Sequence, residues 1–260
     1  MNKNRLLLII DTQNDFCSPN GALYVKGAEK DIRKLGKFIS GNESEIDHII
    51  LTLDNHNVID ISHPVYWEDR NGNQPAPFTE ISLKNVFGGD WRPRFEKEKA
   101  VEYILKLKSQ GEFPHVIWPE HCIIGSQGAA IADEIMEPVK AWARRGYFFE
   151  VVVKGANPLT EHFGALMANI ALEDSPETQL NTDLVSKLMS YNQIVIAGEA
   201  KSHCVATTVK QMLNIGGLAP KLIILEDCMS DVTGFETIAL PIFRKAKEKG
   251  AKFLLSTDRF

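Results

Sequence analysis

Short aliphatic runs alternate with longer amphipathic segments along the 260-residue chain. The runs are continuous rather than alternating in polarity, which is typical of strands buried on both faces. They cover residues 6–10, 49–53, 148–153, 194–197, 222–225 and 253–255. Helical periodicity lies between them, at about residues 28–40, 95–109, 129–144, 182–191, 204–215 and 236–249. This alternation predicts a three-layer α/β/α, Rossmann-like fold with a six-stranded, mainly parallel sheet, formed by residues 1–260 as one domain.

One stretch interrupts this alternation. Residues 57–94, called the insertion below, contain four prolines, a Gly88-Gly89 pair and five aromatic side chains. Because the stretch has no hydrophobic periodicity of its own, we expect an excursion from the second strand rather than a second domain. Long ordered loops tend to be functional. Two interpretations stay open: a lid over a site, or a segment packed on the domain or on a partner subunit.

Composition and charge narrow the kinds of partner. With 29 Lys and Arg against 34 Asp and Glu, the net charge is −5, a poor match to nucleic-acid backbones or anionic membranes. No apolar run approaches the ~20 residues of a membrane span. The polar residues 11–15 follow the first apolar run directly, so no signal-peptide cleavage site is indicated. The four cysteines form no CxxC pair. We expect a soluble, cytoplasmic protein with neither nucleic-acid nor membrane partners.

Chemically active residues stand where the predicted strands end. Asp11 ends the first strand, Asp54 the second and Lys154 the third, while Cys204 stands at the start of a predicted helix. Ligands of open parallel sheets bind at this edge. An ammonium and a helix start both favour a thiolate, and a carboxylate can take the thiol proton and return it to a leaving group. Each residue alone is more often structural, so their convergence carries the signal.

The Asp54-Asn55-His56 segment also suits a divalent metal, because it presents a carboxylate and an imidazole on one side of an extended chain. The spacing alone is a weak signal, and a third ligand is needed. The remaining histidines are at positions 48, 63, 115, 121, 162 and 203. Of these, His121 lies in a turn-prone stretch that could fold over the same edge. Three protein ligands with open positions would make a catalytic or substrate-orienting site rather than a structural one.

Several segments together resemble the nicotinamidases of the isochorismatase-like cysteine hydrolase superfamily. In the family's order, between residue 5 and about residue 215, they are residues 11–17 with 21–23, 52–56, 118–122, 154–158 and 197–205. The resemblance implies a Rossmann-like sheet and a catalytic trio of Asp11, Lys154 and Cys204. It also implies a metal, usually zinc, on Asp54, His56 and His121. The activity it implies is amide hydrolysis through a cysteine thioester, with nicotinamide giving nicotinate and ammonia.

The same resemblance implies the substrate contacts. Phe16 and Trp118 would sandwich the substrate ring, and the metal would hold its pyridine nitrogen. A non-proline cis peptide would join Glu199 to Ala200. The oxyanion donors would then be the backbone N–H groups of Ala200 and Cys204. We also expect the chain to be a homo-oligomer.

Three departures from the family pattern bear on the substrate. Asn57 stands where proline usually follows the metal-binding histidine, and residues 60–63 read Asp-Ile-Ser-His. Residues 161–164 read Glu-His-Phe-Gly where the family has a segment like Asp-Ser-Tyr-Ser. The insertion is atypical as well. Because these changes fall near the expected pocket wall, amide hydrolysis is a firmer expectation than nicotinamide itself.

Three other functions are alternatives to nicotinamide hydrolysis. A related cysteine hydrolase could act on another amide or carbamoyl compound, or on isochorismate; vinyl ether cleavage of isochorismate needs no metal, so the intact Asp54, His56 and His121 set argues against it. A catalytically silent binding protein would be expected to lack a member of the trio, and none is missing. A nucleotide-binding protein would need a glycine-rich loop after the first strand, which residues 11–15 do not provide.

Overall fold

The central element of the structure, a computed structural model that describes residues 4–259, is a six-stranded sheet. The strands of the chain are β1 (Arg5–Ile10), β2 (His48–Asp54), β3 (Trp67–Glu68), β4 (Glu80–Ile81), β5 (Arg92–Pro93), β6 (His115–Val116), β7 (Phe149–Lys154), β8 (Gln193–Gly198), β9 (Leu222–Leu225) and β10 (Lys252–Leu254). The sheet has the order β10-β9-β8-β1-β2-β7, and every neighbouring pair in it is parallel.

Helices flank this sheet and complete the three layers. They are α1 (Asn14–Cys17), α2 (Ala28–Gly41), α3 (Leu83–Gly88), α4 (Lys97–Gln110), α5 (Asp133–Ala143), α6 (Thr182–Ser190), α7 (Ala206–Leu213) and α8 (Leu240–Glu248). Helix α2 packs along α5, and α7 packs along α8. The predicted fold class and its six strands are therefore confirmed. Within residues 4–259, no helix is both long and apolar enough to cross a membrane.

The edge strand β7 differs from the expectation of burial on both faces. Strand β1, in the middle of the sheet, is buried at every residue. In β7, however, Val151 is 42% exposed and Val153 is 54% exposed, and the preceding Phe148 is 85% exposed. A continuous apolar run thus indicated a strand correctly but not its surroundings, because β7 lies at the end of the sheet.

Several predicted helices begin later than their periodicity suggested, and two of these shifts bear on the site. Helix α5 begins at Asp133 rather than at 129, because the preceding residues bond to the turn after β1: Ala132 N–H donates to the Thr12 carbonyl over 2.9 Å. Helix α7 begins at Ala206, and Cys204 lies in a π-helical turn, Lys201–Val205, instead of at the α-helix start. Such turns often occur at functional sites. The Asn181 side chain caps α6, because its Oδ1 accepts from the Leu184 N–H over 2.9 Å.

The insertion is folded and packed. Its β3 pairs with β5, and its β4 pairs with β6, which lies outside the insertion. Its apolar side chains form a second buried cluster with α4 and nearby residues, made of Ile61, Tyr66, Trp67, Ile81, Ala100, Tyr103, Ile104, Leu107, Ile117 and Ile170. These contacts favour a packed segment over a free lid. The insertion has no periodicity of its own because its partners come from elsewhere in the chain.

Candidate active site

The ends of β1 and β2 are tied together by polar side chains that aim Asp11 at the site. Asp11 has a φ of 42°, a left-handed conformation that is rare for a residue with a side chain. Its N–H donates to Thr52 Oγ1 over 3.0 Å, and the Thr52 hydroxyl donates to Asp11 Oδ1 over 2.5 Å. Buried Gln13 donates to the Asp54 carbonyl and accepts from the Asp54 N–H, at 2.6 and 2.8 Å. These bonds fix both carboxylates relative to each other.

Lys154 joins the residues that the strand ends bring together. Its register partner on β2 is Asp54, so the two side chains start side by side. Lys154 Nζ lies 2.8 Å from Asp11 Oδ2, 3.1 Å from Asp54 Oδ1 and 3.8 Å from Cys204 Sγ. Asp11, Lys154 and Cys204, called the Asp–Lys–Cys cluster below, are therefore one buried group, as their positions predicted.

Glycines allow the close approach of these segments. Gly155 has a φ of 79°, and a Cβ on it would lie 2.4 Å from Asp54 Oδ1. Gly198 has a φ of 122°, and a Cβ there would lie 2.0 Å from the Ile10 carbonyl oxygen. Any side chain at either position would therefore displace the backbone or a carboxylate of the site.

Burial and charge set the protonation of the Asp–Lys–Cys cluster. Burial disfavours the charge of Lys154, but the carboxylates of Asp11 and Asp54 outweigh it and raise the pKa of the ammonium well above its usual value. Burial raises the pKa of the Asp11 carboxyl, against the opposing effect of Lys154.

Burial also dominates the electrostatics of the Cys204 thiol. Burial raises the pKa of the Cys204 thiol well above its usual value, and Lys154 opposes that shift without overcoming it. The ammonium thus acts in the expected direction, whereas the α-helix start expected at Cys204 is replaced by the π-helical turn. A buried thiol needs a base that takes its proton as it reacts. Asp11 is placed for this role, because it and Cys204 both contact the Lys154 ammonium.

Three further side chains form a candidate metal site beside this cluster. Asp54, His56 and His121, called the Asp–His–His cluster below, are buried, and their ligand atoms lie within 4.8 Å of one another. His56 Nε2 is 3.1 Å from Asp54 Oδ2, and His121 Nε2 is 3.8 Å from the same oxygen. The histidine that lies beside Asp54 and His56 is thus His121, the residue that the resemblance implied.

The residues behind this cluster fit a bound cation. Asp60 Oδ2 lies 3.1 Å from His56 Nδ1, and the Pro119 carbonyl oxygen lies 2.9 Å from His121 Nδ1. With protons on these Nδ1 atoms, each ring offers Nε2 as a ligand, the usual arrangement around metal-binding histidines. Burial disfavours charge on His56, yet Asp54 and Asp60 raise its pKa well above the usual value. The same carboxylates favour a metal ion, and two imidazoles with one carboxylate suit zinc.

Aromatic side chains line the small cavity beside Cys204. The cavity is bordered by Phe16, Leu23, Asp54, Trp118, His121, Phe163, Ala200, His203, Cys204 and Val232. Phe16 and Trp118, the two aromatics implied by the resemblance, are both present. At about 20 Å³ the cavity is little larger than the roughly 10–15 Å³ that one water needs. A ring-sized ligand therefore requires this wall to move. A larger cavity of about 360 Å³, between α3 and α4, contains neither cluster.

The departures from the family pattern do fall on this wall and behind it. Phe163 borders the cavity, and the ring centroid of His63 lies 5.5 Å from that of His121. Burial raises the pKa of Glu161 to about 8 and lowers that of His162 to about 3. Both side chains are thus neutral near pH 7.

Sequence reasoning missed several residues of the site. Asp60, Gln13 and Thr52 support the two clusters, and His203 and Phe163 shape the cavity. Two of these had a usable signal: Asp60 follows His56 by four residues, and His203 directly precedes the cysteine. Gln13 and Thr52 had none, because polar residues at strand ends usually cap or solvate them. The cis peptide expected between Glu199 and Ala200 is present.

Fold and site together define a class: a parallel α/β protein with a buried acid, lysine and thiol beside a candidate Asp–His–His metal site. No protein-family model matches the chain. The chain is 24% identical to the nicotinamidase of Escherichia coli over 214 residues, which cover 82% of this chain and 78% of that protein. It is also 24% identical to the nicotinamidase of Saccharomyces cerevisiae over 212 residues, 82% of each chain.

Solved structures agree with this resemblance. The yeast nicotinamidase bound to the inhibitor nicotinaldehyde has a TM-score of 0.68 and 18% identity, covering 96% of this chain and 99% of that one. The pyrazinamidase of Pyrococcus horikoshii in complex with zinc has a TM-score of 0.56 and 17% identity, covering 97% and 99%. The chain is nicotinamidase-like in sequence and in fold, and the resemblance drawn from its motifs is confirmed.

Proposed function

We propose that the protein hydrolyses the carboxamide of nicotinamide, giving nicotinate and ammonia. The observation that carries this proposal is the buried contact of Lys154 with Asp11 and Cys204, directly beside the Asp–His–His cluster. The relatives named nicotinamidase support the choice of substrate. The substrate is a small molecule, and we propose that the enzyme works in the cytoplasm.

The first half of the reaction acylates the enzyme. Asp11 takes the proton of the Cys204 thiol, and the sulfur attacks the amide carbon, so an Sγ–C bond forms while the carbonyl π pair moves to oxygen. The tetrahedral species collapses as the C–N bond breaks. Asp11 returns the proton to the departing nitrogen, which leaves as ammonia, and a thioester stays on Cys204. Lys154 holds the two partners together and keeps positive charge near the carboxylate.

The surroundings stabilise the charge that forms on oxygen. We propose that the backbone N–H groups of Ala200 and Cys204 donate to the oxyanion, since both residues border the cavity. Phe16 and Trp118 hold the ring between them. Zinc on Asp54, His56 and His121 would supply a Lewis acid for the ring nitrogen.

The second half releases nicotinate. Asp11, again a carboxylate, takes a proton from a water molecule as the water oxygen attacks the thioester carbon. The C–S bond breaks, and the proton passes from Asp11 to the departing sulfur. The Cys204 thiol and the protonation state of Asp11 are both restored.

The test measures ammonia release from nicotinamide by the zinc-loaded protein. Replacing Cys204 by Ala should lower turnover by at least about 10⁴-fold without unfolding the protein. The matched control is Cys228→Ala, because Cys228 is equally buried but does not border the cavity. Turnover that survives Cys204→Ala would contradict covalent catalysis. Folded, zinc-loaded protein that leaves nicotinamide intact would contradict the substrate.

The second candidate is a related cysteine hydrolase that acts on another amide or carbamoyl compound. The wall of the cavity favours this alternative: Phe163 and His203 border it, with ring centroids 5.3 Å apart. A panel of aromatic and aliphatic amides compared with nicotinamide separates the two. A higher kcat/KM for a different amide would identify that amide as the substrate and would leave the proposed mechanism unchanged.

We also propose a homo-oligomer. The exposed valines of β7 support this proposal, because parallel sheets normally have both faces covered. Sedimentation velocity of the wild type and of Val153→Asp tests it. An oligomer that dissociates in the variant is expected, and a monomeric wild type would contradict it.

A further inference from the structure

A buried carboxyl group lies next to the proposed oxyanion turn, outside both clusters of the site. Glu199 directly precedes Ala200, and its side chain is fully buried. Its backbone N–H donates to the Ile10 carbonyl over 2.9 Å, which ties it to the end of β1. The mechanism above gives this acid no chemical role, and an unpaired buried carboxylate would be costly.

Ser230 connects Glu199 to a second carboxyl group. The Ser230 N–H donates to Glu199 Oε2 over 3.1 Å, and its hydroxyl donates to Asp31 Oδ2 over 2.5 Å. Asp31 belongs to α2, and its Oδ1 is 3.7 Å from Lys34 Nζ. Three segments therefore meet here: the turn after β8, the loop after β9 and the first turn of α2.

The loop after β9 also forms hydrogen bonds along the turn that follows β8. Gly198 N–H donates to the Cys228 carbonyl over 3.0 Å, and Lys201 N–H donates to the Ser230 carbonyl over 2.8 Å. Val232 N–H donates to Ser202 Oγ over 3.0 Å. The Glu199 side chain adds one more bond to these contacts, because its Oε2 accepts from the Ser230 N–H.

The charges around Glu199 indicate a neutral acid. Burial and the neighbouring Asp31 carboxylate raise the pKa of Glu199 well above its usual value. Glu199 Oε1 is buried and accepts no hydrogen bond from residues 4–259. A protonated carboxyl meets both conditions, because one oxygen accepts from Ser230 N–H and the O–H of the other can donate to Asp31.

We infer that Glu199, through the hydrogen bond that its side chain accepts from Ser230 N–H, is a positioning residue that holds the Ala200–Cys204 turn in place for the oxyanion. This inference rests on the proposed function. Glu199 does not touch the substrate: it acts through Ser230 and the backbone of the turn. An uncharged side chain with the same hydrogen-bonding groups should replace it.

The test compares Glu199→Gln with Glu199→Ala. The Gln amide can accept from Ser230 and donate to Asp31, so kcat should stay within about threefold of the wild type, whereas Ala should lower kcat about 10²-fold with little change in KM. Glu226→Ala, which removes an exposed acid at the end of β9, is the matched control and should leave kcat unchanged.

A second readout separates positioning from a merely structural role. Nicotinaldehyde should add to Cys204: an Sγ–C bond forms, the carbonyl π pair moves to oxygen and the thiol proton passes to Asp11. Glu199→Ala should weaken this tetrahedral adduct about 10²-fold while the affinity for nicotinate changes little. Equal losses of both affinities, or a Gln variant as impaired as Ala, would overturn the assignment.

A third readout does not depend on the substrate. Amide hydrogen exchange of residues 198–204 should be faster in Glu199→Ala and unchanged in Glu199→Gln. Unchanged exchange in the Ala variant would overturn the inference. Wild-type ammonia release from nicotinamide tests the proposed function separately. Should Glu199→Ala not fold, Glu199→Asp takes its place, because the shorter side chain withdraws the carboxyl group from the Ser230 N–H, and unchanged exchange and kcat in that variant would likewise overturn the inference.

Discussion

The Asp–Lys–Cys cluster and the insertion are both buried, but they are built in opposite ways. Each member of the cluster stands at or just after the end of a strand, so the parallel register brings Asp11, Lys154 and Cys204 together. The insertion has no long strands, and its apolar side chains find partners on α4 and β6. A site at strand ends is specified by local pattern, whereas the packing of an insertion is specified by contacts distant in sequence.

The two regions nevertheless meet at the candidate metal site. Asp60 of the insertion lies against His56, and the Ser62 carbonyl accepts from the N–H of Trp118 over 2.8 Å. Phe78 packs edge-on against the Trp118 ring, with centroids 5.9 Å apart. The insertion therefore supports the site from behind, and changes to it should affect metal binding and stability more than the chemical step.

The largest effect is expected inside the Asp–Lys–Cys cluster, from Lys154→Met. Loss of the ammonium leaves two buried carboxylates without their partner, which should cost about 3–5 kcal/mol of unfolding free energy and abolish turnover. Urea denaturation and ammonia release measure the two effects. Adding Asp11→Asn to this variant should recover part of the stability and none of the activity. A double variant that is no more stable than Lys154→Met would show that the two side chains are not energetically coupled.

A smaller effect is expected where the regions meet, from Asp60→Asn. The carboxylate that orients His56 is lost, so zinc affinity should fall about 10–100-fold while turnover at saturating zinc stays near the wild-type value. Zinc titration monitored by a competing chelator measures it. Asp90→Asn, an exposed acid elsewhere in the insertion, is the control. Unchanged zinc affinity in Asp60→Asn would show that the insertion does not support the metal site.

A still smaller functional effect is expected within the insertion, from Trp67→Phe. The variant loses the bond from Trp67 Nε1 to the Ile61 carbonyl, 2.7 Å in length, while that carbonyl keeps His115 Nε2 as a partner at 2.9 Å. Unfolding free energy should fall by about 0.5–1.5 kcal/mol, and turnover should change by less than about threefold. Thermal denaturation and ammonia release check this. A large loss of turnover with normal stability would show that the insertion acts directly on the chemistry.

The smallest effect is expected at the surface of the insertion, from Phe87→Ser. This side chain is 71% exposed, so unfolding free energy should change by no more than about 0.5 kcal/mol. Denaturation by urea measures it. A loss well beyond that value would mean that Phe87 is covered in the native assembly.

The sequence predicted the fold and the two clusters for a physical reason. Buried parallel strands leave a continuous apolar run, and a polar residue directly after such a run lies at the ligand-binding edge; Asp11 and Lys154 follow this rule. His121 was harder, because it stands outside any strand and was identified by resemblance. The support from Gln13 and Thr52 depends on contacts across the fold that no local pattern marks. The raised pKa of the Cys204 thiol depends on its burial in the folded chain, which no local pattern marks.

The most direct test of covalent catalysis is to find which residue carries the acyl group during turnover. The enzyme is mixed with nicotinamide, quenched with acid over a series of times, digested and analysed by mass spectrometry. Covalent catalysis by Cys204 predicts a nicotinoyl thioester on the peptide that contains this residue, absent from Cys204→Ala. An acyl group on Cys17, Cys122 or Cys228, or turnover that continues in Cys204→Ala without any acyl-enzyme, would contradict it.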